Sequence, residues 1–377
     1  MKSYKIGINL LYINPKLAGG SVTYALKLVK EISLLDKHNE YVIYINKECM
    51  NINFEVGNNF EIRVLNFEYS SVYLRYFWEQ IILPFYIFKD KIDLIHSLGY
   101  VTPLFTNTKK VVSILDINYK GHSNNMSPSK RFLLGSMVNL SAIFSNKIIT
   151  ISEFSKKQIV KYTQAKENKI IVTLLSGSSD LSSNENVDVY EVLEKYNIFN
   201  EYIIAFSSPS PHKNIERLID AVSEILKNKS NLKLVLVGHQ HKSESLIKVI
   251  RKNNLLDYVI FTGFVPDEDI HPLISNAKLF VFPSLYEGFG IPLLDAQACQ
   301  IPVVSSNAGS LTEVGGEGVL YFDPENITEI TEMILKAIDD NQLSKSIVAK
   351  GIENREKFSW QKTAQQTIDV YNEMLLN

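Results

Sequence analysis

The sequence predicts an α/β protein made of two doubly wound parallel-sheet domains. Three observations carry that prediction. Short apolar, β-branched runs alternate with longer amphipathic stretches along the chain, the pattern of βαβ units. The alternation breaks once, at 176–186 (SGSSDLSSNEN), a polar stretch suited to a linker. The 377 residues also exceed what one hydrophobic core usually serves.

In the first half the runs 4–10, 41–46, 61–66, 110–115 and 147–151 read as strands. A second series falls at 202–206, 232–237, 258–262, 279–282 and 302–305. Between them 21–35, 129–144, 153–162, 215–227 and 246–253 carry helical periodicity. The domains expected are 1–180, joined by a last helix at 359–377, and 195–355. Ligands of such sheets sit at the carboxyl ends of the strands, here expected in a cleft between facing domains.

Composition excludes several classes. Hydrophobic residues make up 45% and charged residues 21%, ordinary globular values. Cys49 and Cys299 are the only cysteines, which argues against a disulfide scaffold and fits a reducing, cytoplasmic setting. The seven His show no metal-ligand spacing. The N-terminus reads as a first strand, without the pattern of a signal peptide. No apolar run approaches the roughly 20 residues that span a bilayer. No 20–50-residue repeat, G-x-G-x-x-G or P-loop occurs.

The net charge of −2 hides an asymmetry. Residues 1–180 hold 22 Lys and Arg against 14 Asp and Glu, +8; the remainder holds 17 against 27, −10. The basic residues are dispersed and no nucleic-acid motif accompanies them, so a nucleic-acid partner is not expected. The segment 69–88 (YSSVYLRYFWEQIILPFYIF) is aromatic and apolar around Arg75. It reads either as a buried helix or as a surface for peripheral contact with the inner face of the cytoplasmic membrane.

The chemistry concentrates at 282–300 (FPSLYEGFGIPLLDAQACQ). A strand ends near Pro283, and a loop carries Glu287, Gly288, Phe289 and Gly290. Pro292 suits the first turn of a helix, where its missing N–H costs nothing. Glycines beside a helix start let backbone N–H groups approach an anionic or hydroxyl-rich ligand. Asp295 lies about one turn into that helix, so two carboxylates can address different parts of one elongated ligand.

The run PSLYEGFGIPLLDA resembles the signature of glycosyltransferase family four, the retaining enzymes of the GT-B fold, with Asp295 where that family usually has Glu. The resemblance implies that Glu287 supports the reacting sugar and that Asp295 binds the ribose. Pro211-His212-Lys213-Asn214 resembles the family's phosphate-binding segment, with Lys213 neutralising diphosphate charge. Ser208 stands where many members place an Arg.

Gly19-Gly20 resembles the family's glycine loop after the first strand. Asp116 follows the strand at 110–115, with Leu115 where relatives carry a His. Asn307–Gly316, Tyr321–Pro324 and Ser359-Trp360 with Tyr371 resemble the family's closing pattern. Ser359 can cap the last helix, which in this fold returns to the N-terminal domain.

The implied function is hexose transfer, with retention, from a UDP-, GDP- or dTDP-sugar to a lipid-linked or growing glycan of O-antigen, capsule or exopolysaccharide type. Glu287, Lys213 and Asp116 are the expected catalytic residues. Gly19, Gly20, Ser208, Lys213, Asn214, Gly288, Phe289, Gly290 and Asp295 are the expected donor-binding set. No cofactor or metal is expected: Asp267-Glu268-Asp269 has D-x-D spacing but sits where acidic residues suit a helix start. A sugar-nucleotide epimerase of the same fold, a silent nucleotide-sugar-binding subunit and a starch-type polymerase are the alternatives.

Overall fold

The computed structural model describes residues 2–15, 19–69, 71–120, 127–178, 188–208, 210–238 and 244–376. The chain divides into two compact units. The first comprises Met1–Gly121, Met126–Leu175 and Ser359–Asn377; the second comprises Ser176–Phe358 with His122–Asn125.

The first unit holds seven parallel strands among the described residues: β1 (Lys5–Asn9), β2 (Glu40–Asn46), β3 (Phe60–Leu65), β4 (Leu94–Ser97), β5 (Lys109–Ser113), β6 (Lys147–Thr150) and β7 (Ile170–Val172), in the order β3-β2-β1-β4-β5-β6-β7. The central strands are buried on both faces, so they read as continuous apolar runs. β3 at the edge exposes Glu61, and charge on an edge strand discourages pairing with another chain. The segments β4 and β7 were not among the expected strands. β4 is short and carries His96 and Ser97, both fully buried, so its apolar signal is interrupted.

Three of this unit's helices begin at serine caps, each Oγ accepting a backbone N–H two or three residues into the helix. Ser71 precedes Val72–Phe77, Ser127 precedes Pro128–Phe144 and Ser152 precedes Glu153–Tyr162. The last helix, Trp360–Leu376, packs on helix Gly20–Leu35 within the same unit. It is held through its buried Tyr371, whose hydroxyl lies 2.6 Å from His96 Nδ1. His96 Nε2 meets Ser113 Oγ at 2.8 Å, and Tyr24 OH meets the same oxygen at 2.8 Å. Burial drives the His96 pKa down to about 3.

Among its described residues the second unit holds six parallel strands: β8 (Tyr202–Phe206), β9 (Lys233–Val237), β10 (Val259–Gly263), β11 (Leu279–Phe282), β12 (Val303–Ser306) and β13 (Leu320–Phe322), in the order β10-β9-β8-β11-β12-β13. Helix Ile215–Leu226 buries Leu218, Ile219, Val222 and Ile225 on one face, spaced three and four apart, against this sheet. The short β13 was not expected. Asp267, Glu268 and Asp269 form the first turn of helix Asp267–Ser275, as their spacing before an apolar run implied. Asp269 is buried and accepts from Lys195 Nζ at 2.6 Å and Tyr196 OH at 2.7 Å.

Both cysteines are buried and unpaired, and burial pushes their thiols up, Cys49 to about 11 and Cys299 to about 12. Among the described residues no helix is long and apolar enough to cross a membrane.

Candidate active site

In the second unit the chain runs from β8 outward to β9 and β10, then returns to place β11 on the other side of β8. This reversal leaves a crevice at the carboxyl ends of β8 and β11, the position where open α/β sheets bind ligands. Lys213 follows β8 and Glu287 follows β11.

The two meet: Lys213 Nζ donates to Glu287 Oε1 at 2.7 Å, with both side chains mostly buried. The ammonium also sits 5.4 Å from the centre of the Phe282 ring, and an aromatic face favours a cation. A half-buried ion pair with one open side is a poised device. It presents a cation for a diphosphate and a carboxylate for a neighbouring polar group, and each holds the other until a ligand arrives.

The loops carrying the pair are locked together. Leu285 N donates to His212 O at 2.7 Å, joining the Glu287 loop to the Pro211–Lys213 turn. Asn214 adopts the left-handed conformation, with φ of 59°, which an Asn tolerates better than most residues. Its Nδ2 donates to Pro283 O at 2.9 Å and to Pro324 O at 2.8 Å, while its Oδ1 accepts from Arg217 at 2.8 Å. Both amide hydrogens are thus spent on the scaffold. Asn214 thereby positions Lys213.

On the far side of the loop, Ser310 Oγ donates to the carbonyls of Glu287 and Phe289 at 3.1 and 3.0 Å. Gly309 has φ of +66°, and a Cβ there would lie 2.5 Å from Glu287 O. The segment Asn307–Gly316 therefore acts as a cradle for the Glu287 backbone. Gly290, with φ of +104°, opens helix Ile291–Ala298 in a conformation that favours glycine. Phe289 is buried and packs edge-on against Phe358, so it anchors the loop.

Asp295 is buried in that helix, where its Oδ1 accepts from Ser178 N at 2.6 Å and its Oδ2 from Ser178 Oγ at 3.2 Å. A Cβ on Gly177 would lie 2.7 Å from Asp295 Oδ1. The carboxylate expected to face a ribose holds the first residues after the unit boundary. Ser178 gives one donor to each oxygen, as two adjacent hydroxyls would. Ser208 Oγ accepts from Ser210 N at 3.4 Å.

The remaining expected residues lie in the first unit. Gly19, extended and exposed, precedes helix Gly20–Leu35 after β1, and a side chain on either Gly19 or Gly20 would meet nothing within 4 Å. Asp116 lies beyond β5, where its Oδ1 accepts from Tyr100 OH at 3.3 Å and Asn118 N at 3.2 Å.

Two residues at the crevice were missed by sequence reasoning. Ser207 and Ser284 lie just beyond β8 and β11, and their buried hydroxyls have no hydrogen-bond partner among the described residues. A buried orphan hydroxyl calls for a partner. The readable signal was a serine within two residues of the end of each strand.

A family model described as glycosyl transferases group 1 matches residues 192–354, the stretch that holds both Lys213 and Glu287. This chain carries a group 1 glycosyl transferase domain. It is 32% identical over 227 residues to the O-antigen chain mannosyltransferase B of Escherichia coli, covering 59% of this chain and 60% of that relative. It is 30% identical over 261 residues to the capsular polysaccharide biosynthesis glycosyltransferase CapM of Staphylococcus aureus, covering 65% and 66%. The match thus spans less than two thirds of either relative.

The fold likeness extends further. Sucrose-phosphate synthase from Thermosynechococcus elongatus superimposes with a TM-score of 0.77 at 17% identity over 99% of both chains. That likeness gives the fold, GT-B, with the group 1 domain as its second parallel-sheet unit.

Proposed function

We propose that the chain transfers a hexose, with retention of anomeric configuration, from a nucleotide-sugar to a lipid-linked or growing surface glycan. The observation that carries this reading is the Lys213–Glu287 pair at the crevice where strand order reverses. The names of the relatives, an O-antigen mannosyltransferase and a capsular polysaccharide glycosyltransferase, support the glycan class of the acceptor.

In this reading the diphosphate of the donor takes Lys213, and Glu287, released from its ion pair, faces the sugar. The bond between the anomeric carbon and the phosphate oxygen breaks, and the electron pair leaves with the nucleoside diphosphate. An acceptor hydroxyl forms the new bond on the same face, and its proton passes to the departing phosphate oxygen. Lys213 stabilises the charge that develops on the leaving group. The backbone of Gly288 and Gly290 supplies N–H donors, and the hydroxyls of Ser207 and Ser284 find partners in the ligand. Asp295 exchanges Ser178 for the ribose diol.

The acceptor belongs to the first unit, with Gly19, Gly20 and Asp116 the residues offered to it. Lys213 supplies the cation at the diphosphate, so no metal is assigned to the step. The cytoplasmic face of the inner membrane is the place of action, with peripheral contact there through the aromatic segment at 69–88.

The test is a thermal-shift screen of UDP-, GDP- and dTDP-hexoses, followed by product analysis with a lipid-linked glycan acceptor. A stabilising donor, an α-linked product from an α-linked donor, and no transfer by a folded Glu287→Ala variant are expected. Near-parental turnover by that variant would remove Glu287 from the reaction. Donor conversion without any acceptor would make the chain an epimerase.

A further inference from the structure

The segment 72–89 of the first unit inverts the usual amphipathic helix. It runs through helix Val72–Phe77, a wider π turn at Trp78–Ile82 and helix Leu83–Lys89. Its charged residues short of Lys89 are turned inward. Glu79 is fully buried and Arg75 nearly so, with Arg75 Nε 3.5 Å from Glu79 Oε2. Its outward positions are apolar: Tyr73, Phe77, Ile81, Phe85 and Phe88 are 52, 52, 56, 63 and 84% exposed. Burying an ion pair while leaving five large apolar side chains in water is a costly arrangement for a free surface.

The spacing aligns these side chains. Steps of four residues drift by about 40° each around a regular α-helix. The π turn holds more residues per turn, so it takes up part of that drift and keeps the stripe on one side.

The segment is tied to the loop at 101–104. Gln80 Nε2 donates to Thr102 O at 3.1 Å and Gln80 Oε1 accepts from Leu104 N at 3.0 Å. Thr102 N in turn donates to Ser141 Oγ at 3.1 Å, which ties the last turn of helix Pro128–Phe144 to the same loop. The loop just beyond Leu104 exposes Phe105 at 76%.

Charge on these elements has one sign. Lys89 and Lys91 close the segment and are exposed, and Asp90 between them is taken by Tyr44 and Arg63. Glu68, just ahead of the segment, is paired with Lys47. The first unit as a whole carries 23 Lys and Arg against 15 Asp and Glu, +8. Aromatic and aliphatic side chains framed by cations match the boundary of an anionic bilayer, where rings sit at headgroup depth and lysines reach phosphates.

We infer that this face of the first unit is a docking surface for anionic phospholipid, with Tyr73, Phe77, Ile81, Phe85 and Phe88 entering the headgroup region and Lys89 and Lys91 binding phosphates around them. The inference deepens the proposed action at a membrane and rests on it only for its biological setting; the stripe and its charges stand by themselves. It commits to lipid over a second copy of the chain, because two faces of the same positive sign repel when apposed.

The experiment is co-sedimentation of the full chain with vesicles containing phosphatidylglycerol, or of phosphatidylcholine alone, with the mass of the free protein measured by light scattering. Binding to the anionic vesicles, weakened by salt, is expected. Phe77→Ser/Phe85→Ser should lower the affinity by about tenfold or more, and Lys89→Glu/Lys91→Glu should lower it in the anionic arm alone. All four positions are exposed, so both variants should keep the parental melting temperature.

No sedimentation of the parent with anionic vesicles would overturn the inference. So would equal sedimentation of the parent and the Phe77→Ser/Phe85→Ser variant, or a parental dimer that this variant splits, which would give the face to a second copy. Transfer to a lipid-free glycan should be equal in the parent and this variant. Its absence from both, with vesicle binding retained, would sink the proposed reaction and leave the docking surface standing.

Discussion

Lys213 and Glu287 are 74 residues apart in sequence and 2.7 Å apart in space, one after each of the two strands that flank the reversal of strand order. Each is the other's principal charge partner in the absence of ligand. Removing one leaves a half-buried charge uncompensated, so each single variant should cost both activity and stability.

Glu287→Gln and Lys213→Met should each lower kcat by about 10²- to 10³-fold, the usual cost of losing one electrostatic contact to a developing charge. Their effects on unfolding free energy should not add. The double variant leaves no orphan charge, so its destabilisation should fall below the sum of the two singles. Full additivity in chemical denaturation would mean that the pair does not interact in solution.

The same pair makes a statement about metal ions. If Lys213 carries the charge of the leaving diphosphate, transfer should continue at an unchanged rate in excess EDTA, and Mg²⁺ or Mn²⁺ added back should not raise kcat. Loss of turnover in EDTA with recovery on Mn²⁺ would contradict this assignment.

Much of the fold was legible because buried parallel strands are continuous apolar runs and helices between them repeat at three and four residues. What escaped was short or polar. β4 hides His96 and Ser97 inside the sheet, where Tyr371 and Ser113 satisfy the imidazole, and no local pattern announces partners that far away. The site was legible as motifs and not as geometry. Glu287 and Lys213 each stood out in sequence, but their contact did not. Asn214 stood out beside Lys213, but its bonds to Pro283 and Pro324, 69 and 110 residues away, have no local signal.

His96 links the last helix to the sheet and sets an acid limit on the first unit. Folded, it takes a proton only near pH 3; unfolded, near the ordinary value of 6.5. Between those values the unfolded chain binds more protons, so stability rises with pH across the window and is lost as pH falls through it, by up to about 1.4 kcal/mol per pH unit for this one group. His96→Gln should be less stable at pH 7, because an amide cannot reproduce both bonds, yet its stability should fall less steeply between pH 6 and pH 4. Urea denaturation of both proteins at several pH values checks this. Parallel curves would mean that His96 is not buried neutral.

Gly309 tests whether the cradle under Glu287 matters to the reaction as well as to the fold. A methyl group there would meet Glu287 O at 2.5 Å and Glu287 N at 2.8 Å, on a backbone whose φ of +66° already disfavours alanine. Both terms push the same way, and strain of this kind costs on the order of 1–3 kcal/mol. Relief can come by displacing the Glu287 loop, pulling it against the bonds from Ser310 and Lys213 that hold it. A shift of about 1 Å at a catalytic group can cost about 10²-fold in rate. Gly309→Ala should therefore lower kcat far more than its melting temperature explains, when assayed well below that temperature with donor saturating. Ser310→Ala keeps the glycine and loses only the two hydroxyl bonds, so it should show a smaller loss of kcat. If Gly309→Ala melts early but turns over at the parental rate while folded, the cradle only supports the fold, and Glu287 reaches its place without it.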